Sequence, residues 1–315
     1  MKNKYNVLKE LVPILEASPV IDLEKDLPSA RAIPVAAVSH SASVRTTTCT
    51  IKGPETDLLV KIYEPKDEKQ ERKPGLFWIH GGGYVLGHPD VDDGICERFV
   101  LEAKCAVISV DYRLAPEHTY PAAIEDCYAG LKWMADNAET LHIDKSRIAI
   151  AGPSAGGGLT AALALLARDR GGPQVMFHMP LYPMIDNRNE TPSSFEINTV
   201  TMPKAWNREN NQTAWRMYLG ELSGEIPPYA APARAGDLTG LPPAYTCVGQ
   251  LDPFRDETLQ YVARLMQAGV PVEFHVYPGC FHGFDASSNN AKISEQARKE
   301  YIQALKRAFQ NADEN

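Results

Sequence analysis

The sequence predicts an α/β protein built on a mostly parallel sheet with helices on both faces. Three observations carry that expectation. Short apolar runs alternate with longer helix-like stretches along most of the 315 residues. Several of the runs are apolar at successive rather than alternate positions, as strands covered on both faces must be. Hydrophobic residues make up 44% and charged residues 23% of the chain, a globular balance at a length that fits one large domain with an insertion.

The elements follow in order. Residues 1–42 read as one amphipathic helix followed by a Pro- and Ala-containing segment, with Tyr5, Leu8, Leu11, Val12 and Leu15 recurring at helical spacing. Residues 44–51 and 58–63 flank Lys52-Gly53-Pro54 and suit an antiparallel hairpin. Runs at 76–80, 106–111, 148–152, 175–181, 244–249 and 272–277 read as strands. Helix-like stretches fall at 92–104, 121–138, 155–168, 255–268 and 294–309. Residues 184–241 break the rhythm: they hold no strand pattern and carry Trp206 and Trp215 on a helical one. They are expected to form an insertion above the sheet, packed with the N-terminal helix as a cap; a long surface excursion is the competing reading. The division is then 1–42 and 184–241 as cap, and 43–183 with 242–315 as core.

Charge and composition exclude several function classes. The formal net charge of −8, with no Lys/Arg run, is poorly suited to gathering nucleic acid. No apolar run approaches the ~18 residues of a membrane span, and the N-terminus shows neither the unbroken apolar stretch nor the cleavage site of a signal peptide. The six cysteines are scattered without metal-ligand spacing and read as small buried residues in a reducing, cytoplasmic setting. No metal or cofactor is expected.

Three motifs carry chemistry. Gly152-Pro153-Ser154-Ala155-Gly156 follows a strand-like run and precedes an Ala/Leu-rich helix. This G-x-S-x-G context places a serine hydroxyl at a tight strand-to-helix turn, where glycines relieve the crowding. Ser154 is the expected nucleophile. His80-Gly81-Gly82-Gly83 follows the run at 76–79, and consecutive glycines let N–H groups converge where an acyl-transfer reaction develops negative charge. Gly82 and Gly83, joined by Ala155, are the expected donors. A phosphate cradle would need a Gly-Lys-Ser/Thr ending or a G-x-G-x-x-G opening a helix, and neither is present.

A base and an acid should follow Ser154 in the order acid, then His. Of the downstream histidines, His178 and His275 lie inside strand-like runs and read as structural. His282, just past the run at 272–277, is the expected base. Asp252, just past the run at 244–249, is the expected acid. Asp256 and Glu257 are rivals one turn into the next helix, where a solvated first turn complementing the helix dipole is the plainer reading.

These residues resemble the hormone-sensitive-lipase-like branch of the α/β-hydrolases, the bacterial family IV esterases. The resemblance covers nearly everything from about Leu58 onward. It rests on His80-Gly81-Gly82-Gly83-Tyr84, on Asp111-Tyr112-Arg113-Leu114-Ala115-Pro116-Glu117, on Ser154-Ala155-Gly156-Gly157, on Asp252-Pro253-Phe254-Arg255-Asp256-Glu257 and on His282-Gly283-Phe284. It implies an α/β-hydrolase fold, a Ser154–Asp252–His282 triad, a helical cap and cofactor-free hydrolysis of short acyl esters. One departure stands out: Pro153 occupies the position where the family usually carries Asp. Tyr84, Trp206, Trp215 and Phe284 are candidates to line the pocket, with core packing as the competing reading for each.

The partners expected are a small-molecule ester and a second copy of the chain paired through an edge strand, with no nucleic acid and no membrane. Rival readings are an amidase or peptidase on the same triad, a non-catalytic small-ligand receptor, and an interaction module using the aromatic insertion. The presence of His282 argues for chemistry.

Overall fold

The computed structural model describes residues 6–34, 40–66, 72–286 and 290–311. Eight strands form one sheet: β1 (Val44–Lys52), β2 (Asp57–Pro65), β3 (Lys73–Trp78), β4 (Ala106–Val110), β5 (Ile143–Pro153), β6 (Phe177–Leu181), β7 (Ala244–Leu251) and β8 (Val272–Phe281). Their order is β1-β2-β4-β3-β5-β6-β7-β8. β2 runs antiparallel to both neighbours and the remaining pairs are parallel. The expected hairpin forms, with Ile51 paired to Leu58 and the Gly53 N–H bonded to the Thr56 carbonyl at 3.1 Å.

The parallel strands feed two cores. Phe77, Ile108 and Ile150 point to the face covered by α4 (Ala122–Asp136), α5 (Ala155–Asp169) and α8 (Arg255–Gln267). Leu76, Trp78, Val107 and Ala149 point to the other face, covered by α3 (Asp93–Arg98) and α9 (Lys292–Asn311). Neighbouring residues on one strand thus enter opposite cores, which is why these strands read as continuous apolar runs.

Several boundaries differ from the sequence expectation. The N-terminal segment holds a 3₁₀ turn (Lys9–Leu11) leading into α1 (Val12–Ala17), then a separate helix α2 (Leu23–Arg31). Ser18 precedes Pro19 and is extended, which ends the first helix. Asp22 then starts the second by accepting the Glu24 N–H at 3.1 Å. Tyr5 and residues 35–39 lie outside the described residues. The expected helix at 92–104 is a 3₁₀ turn (Pro89–Asp92), α3 and a π-turn (Phe99–Ala103) that ends on left-handed Lys104. β7 and β8 run further than expected, so Asp252 and His282 follow their strands directly.

Residues 184–241 contain no strand. They hold α6 (Pro192–Glu196), α7 (Arg208–Leu219) and a 3₁₀ turn (Pro232–Arg234). Trp215 lies on α7, but Trp206 lies outside it, because Asn207 caps the helix by accepting the Asn210 N–H at 3.1 Å. α7 packs on α2. The Asn210 side chain accepts the Leu23 N–H at 3.1 Å and donates to the Ile21 carbonyl at 2.8 Å, and Arg216 pairs with Glu24.

Candidate active site

β5 ends at Pro153, opposite Leu181 of β6. Ser154 then takes φ 58° and ψ −120°, a conformation that L-residues rarely adopt. The turn is bound on its backbone alone: the Ser154 N–H donates to the Leu181 carbonyl at 2.9 Å, and the Ser154 carbonyl accepts from Gly158 at 2.9 Å and Met184 at 3.0 Å. Pro153 contributes no donor to it and fixes its own φ. A methyl group on Gly156 would lie 2.0 Å from the Ile79 carbonyl oxygen, so only glycine lets the elbow approach β3 this closely.

Asp252, at the end of β7, is fully buried and accepts the Phe254 N–H at 2.8 Å through Oδ1. Its Oδ2 lies 2.8 Å from His282 Nδ1, and His282 Nε2 lies 2.9 Å from Ser154 Oγ. The three expected residues therefore form one hydrogen-bonded chain at the carboxyl ends of β5, β7 and β8. Phe254 and Tyr182 meet the imidazole edge-on, with centroids at 4.9 and 5.2 Å. Neither was given a role from the sequence. Phe254 could have been found from its place two residues after the acid; Tyr182 had only its place after a strand.

The glycine loop after β3 turns beside the serine. Gly82 (φ 119°) and Gly83 (φ 62°) hold backbone conformations that side chains resist. Among the described residues their N–H groups donate to no other backbone group. The Ala155 N–H opens α5, where a helix has no internal acceptor to offer it. The Gly82 carbonyl is spent on the Val85 and Leu86 N–H groups at 3.1 and 2.8 Å, which sets the turn. His80 sits beneath, stacked on Tyr112 at 4.2 Å, and burial lowers its pKa to about 4. It is therefore a neutral structural ring at working pH.

The 111–117 motif braces this loop. The Tyr112 hydroxyl donates to the His80 carbonyl at 2.9 Å. Arg113 grips the buried Asp126 of α4 through two guanidinium nitrogens, both at 2.8 Å. Glu117 receives Arg31 of α2, which also donates to the Val85 and Ala115 carbonyls at 2.8 and 2.6 Å. The N-terminal helix is thus tied to the glycine loop itself.

The four pocket candidates separate. Trp206 comes to the site: its ring lies 6.3 Å from His282, and a Cβ on Gly83 would strike it at 2.4 Å. Tyr84, Trp215 and Phe284 are placed in the core, at 1%, 2% and 1% exposure. Tyr84 stacks on Tyr218 at 4.0 Å and its hydroxyl donates to the Met184 carbonyl at 2.7 Å, while Trp215 packs on both tyrosines. Phe284 packs on Tyr277 on the opposite face of the sheet. An aromatic residue next to a motif is as readily spent on holding the motif's backbone as on facing a ligand.

Asp256 and Glu257 do not form a solvated first turn. Glu257 is buried and accepts the Ile185 and Asp186 N–H groups at 3.0 and 3.3 Å, and burial pushes its carboxyl pKa up. Asp256 accepts the Ser193 N–H at 2.7 Å, and its pairing with Arg255 helps hold its pKa down despite partial burial. Both anchor the inserted segment. His178 lies buried on β6, with its pKa lowered to about 4 by burial, and His275 lies on β8 beside Glu273, as the structural reading expected.

Known proteins resemble this chain in sequence and fold. The family model described as alpha/beta hydrolase fold matches residues 76–286. Esterase LipI of Mycobacterium tuberculosis is 38% identical over 84% of this chain and 82% of its own. Carboxylesterase NlhH of the same organism is 38% identical over 81% of this chain and 79% of its own. Among solved structures, a bacterial heroin esterase superposes with a TM-score of 0.91 at 39% identity, covering 96% of this chain and 98% of that one. The chain belongs to the α/β-hydrolase-fold family, in its hormone-sensitive-lipase-like branch, and is a serine carboxylesterase.

Proposed function

We propose that this enzyme cleaves short-chain acyl esters through an acyl-enzyme on Ser154, with His282 as general base and then acid, and Asp252 holding the imidazole. The observation that carries the reading is the chain Asp252 Oδ2–His282–Ser154 Oγ, at 2.8 and 2.9 Å. Ser154 Oγ attacks the ester carbonyl while His282 Nε2 takes its proton. The N–H groups of Gly82, Gly83 and Ala155 receive the oxyanion; one such donor is worth roughly 10²–10³ in rate. His282 protonates the departing alcohol, and water activated by the same nitrogen releases the acid.

Residues 1–42 and 184–241 act as a cap over a core of 43–183 and 242–315. The packing of α2 on α7, with Arg31 reaching the glycine loop, supports that division. Trp206 lies near His282 and against Gly83, and a large ring in that place is the ground for expecting acyl chains from acetyl to hexanoyl. The six cysteines form no disulfide and five are buried, which suits a reducing cytoplasmic setting; no described helix is long and apolar enough to cross a membrane. β8 lies at the sheet edge and offers a pairing surface for a homodimer.

A series of p-nitrophenyl esters from acetyl to palmitoyl, run on wild type and Ser154→Ala, tests the proposal. Highest kcat/KM at six carbons or fewer is expected, with a loss of about 10³-fold or more in the variant. Fastest turnover of the palmitoyl ester overturns the chain-length reading. Faster turnover of the matched anilides than of the esters would favour the amidase.

A further inference from the structure

One face of α8 is unusual. Glu257, Gln260, Tyr261 and Arg264 recur at positions i, i+3, i+4 and i+7, the spacing that normally gives an apolar stripe, yet this stripe is polar. With Asp186 and Arg188 it lines a cavity of about 250 Å³ between α8 and the start of the insertion.

The chemistry of this cavity points to an anion. Asp186 is already matched by Arg188, which grips both of its oxygens. Glu257 accepts two backbone N–H groups on Oε1 alone, and burial favours its neutral form, in which the carboxyl adds no charge to the cavity. Arg264 donates to the carbonyls of Ala233 and Ala235, and among the described residues it meets no carboxylate within ion-pair distance. It therefore brings to the cavity a guanidinium with no direct carboxylate partner among the described residues. The Tyr261 hydroxyl, on a residue 2% exposed, has no hydrogen-bond partner among the described residues. A buried donor left unpaired is destabilising, a loss that a bound acceptor would recover.

We propose that this cavity is a second ligand site, separate from Ser154, that takes a small monocarboxylate. Arg264 would supply the charge and guanidinium N–H groups, and Tyr261 a hydroxyl donor. A planar carboxylate matches the guanidinium fork, and the volume holds a chain of a few carbons. Short carboxylates are also what ester cleavage at Ser154 releases. That link alone rests on the proposed function; binding at this site does not.

Isothermal titration of butyrate into wild type, Ser154→Ala, Tyr261→Phe and Arg264→Gln tests the proposal. Binding is expected to persist in Ser154→Ala, and to weaken about tenfold or more in Arg264→Gln and about three- to tenfold in Tyr261→Phe. Arg264→Gln also loses bonds to two carbonyls and so risks misfolding. Tyr261→Phe removes only an unpartnered hydroxyl, and its ligand-free thermal midpoint should match or exceed wild type. Butyrate affinity unchanged in both α8 variants, or no binding to any form, overturns the site. Failure of the catalytic reading would show separately, as full ester hydrolysis by Ser154→Ala.

Discussion

Ser154 illustrates how little of a site lies in the reactive side chain itself. Its hydroxyl reaches His282 because the backbone holds φ 58°, and the backbone can do so because Gly156 leaves room for the Ile79 carbonyl. Pro153 stands where the family resemblance leads one to expect Asp, yet the Ser154 N–H and carbonyl are satisfied without a side chain there. Its contribution is to limit the freedom of the unfolded chain. Pro153→Ala is therefore expected to lower stability by about 0.4–1 kcal/mol, read as a shift of the urea midpoint, with ester hydrolysis retained. An unchanged midpoint would remove that role. Ser154, Asp252 and His282 were legible because each occupies a strand end that the apolar runs mark. Tyr182 was not, since packing against an imidazole edge leaves no pattern in a single sequence. Tyr84, Trp215 and Phe284 mislead for the converse reason, as large aromatic rings are favoured equally by a core and by a pocket.

The elements divide into those whose ends bring Ser154, Asp252 and His282 together and those of the N-terminal and inserted segments, where α2 packs on α7. The ends of β3, β5, β7 and β8 place the glycine loop, Ser154, Asp252 and His282, and all four run in one direction. The inserted segment is fastened to this frame by hydrogen bonds along its length, and Glu257 supplies one of the buried ones. Glu257→Ala leaves the Ile185 and Asp186 N–H groups without their acceptor and should cost about 2–4 kcal/mol. It should also speed proteolytic nicking within 184–241. Glu257→Gln keeps a carbonyl acceptor and should lose less than half as much. Equal losses in the two variants would mean that charge, not acceptor geometry, holds the segment. The sequence marked this segment by its lack of strands but not its fastening, because a carboxylate one turn into a helix looks the same whether it faces water or a backbone amide. The break between α1 and α2 was likewise present in Ser18-Pro19 and Asp22, but the stronger amphipathic signal before it obscured a second, shorter helix.

Across the whole molecule, two cores on either side of one sheet bury histidines in neutral form. Burial holds His178 at about 4, below its unfolded value of 6.5. The unfolded chain therefore takes a proton that the folded chain refuses, so this residue's contribution to stability is lost as pH falls from about 6.5 through about 4. His178→Gln removes the site from both states. Relative to wild type, the variant should gain about 1.4 kcal/mol per pH unit on going down through that window, a little over 3 kcal/mol in all. Parallel stability–pH curves for the two proteins would show that His178 is charged in the fold. The fold class was readable along most of the chain because doubly buried strands leave continuous apolar runs. The order of the strands was not, since nothing local tells β4 to enter between β2 and β3.

The acyl-enzyme chemistry rests on one oxygen atom. The protein treated with an organophosphonate ester should gain one phosphonyl group per chain, located by peptide mass analysis on Ser154, with ester hydrolysis lost in proportion; Ser154→Ala should gain none. Undiminished hydrolysis in the fully modified protein, or modification mapped to a different residue with Ser154 untouched, would contradict the assignment.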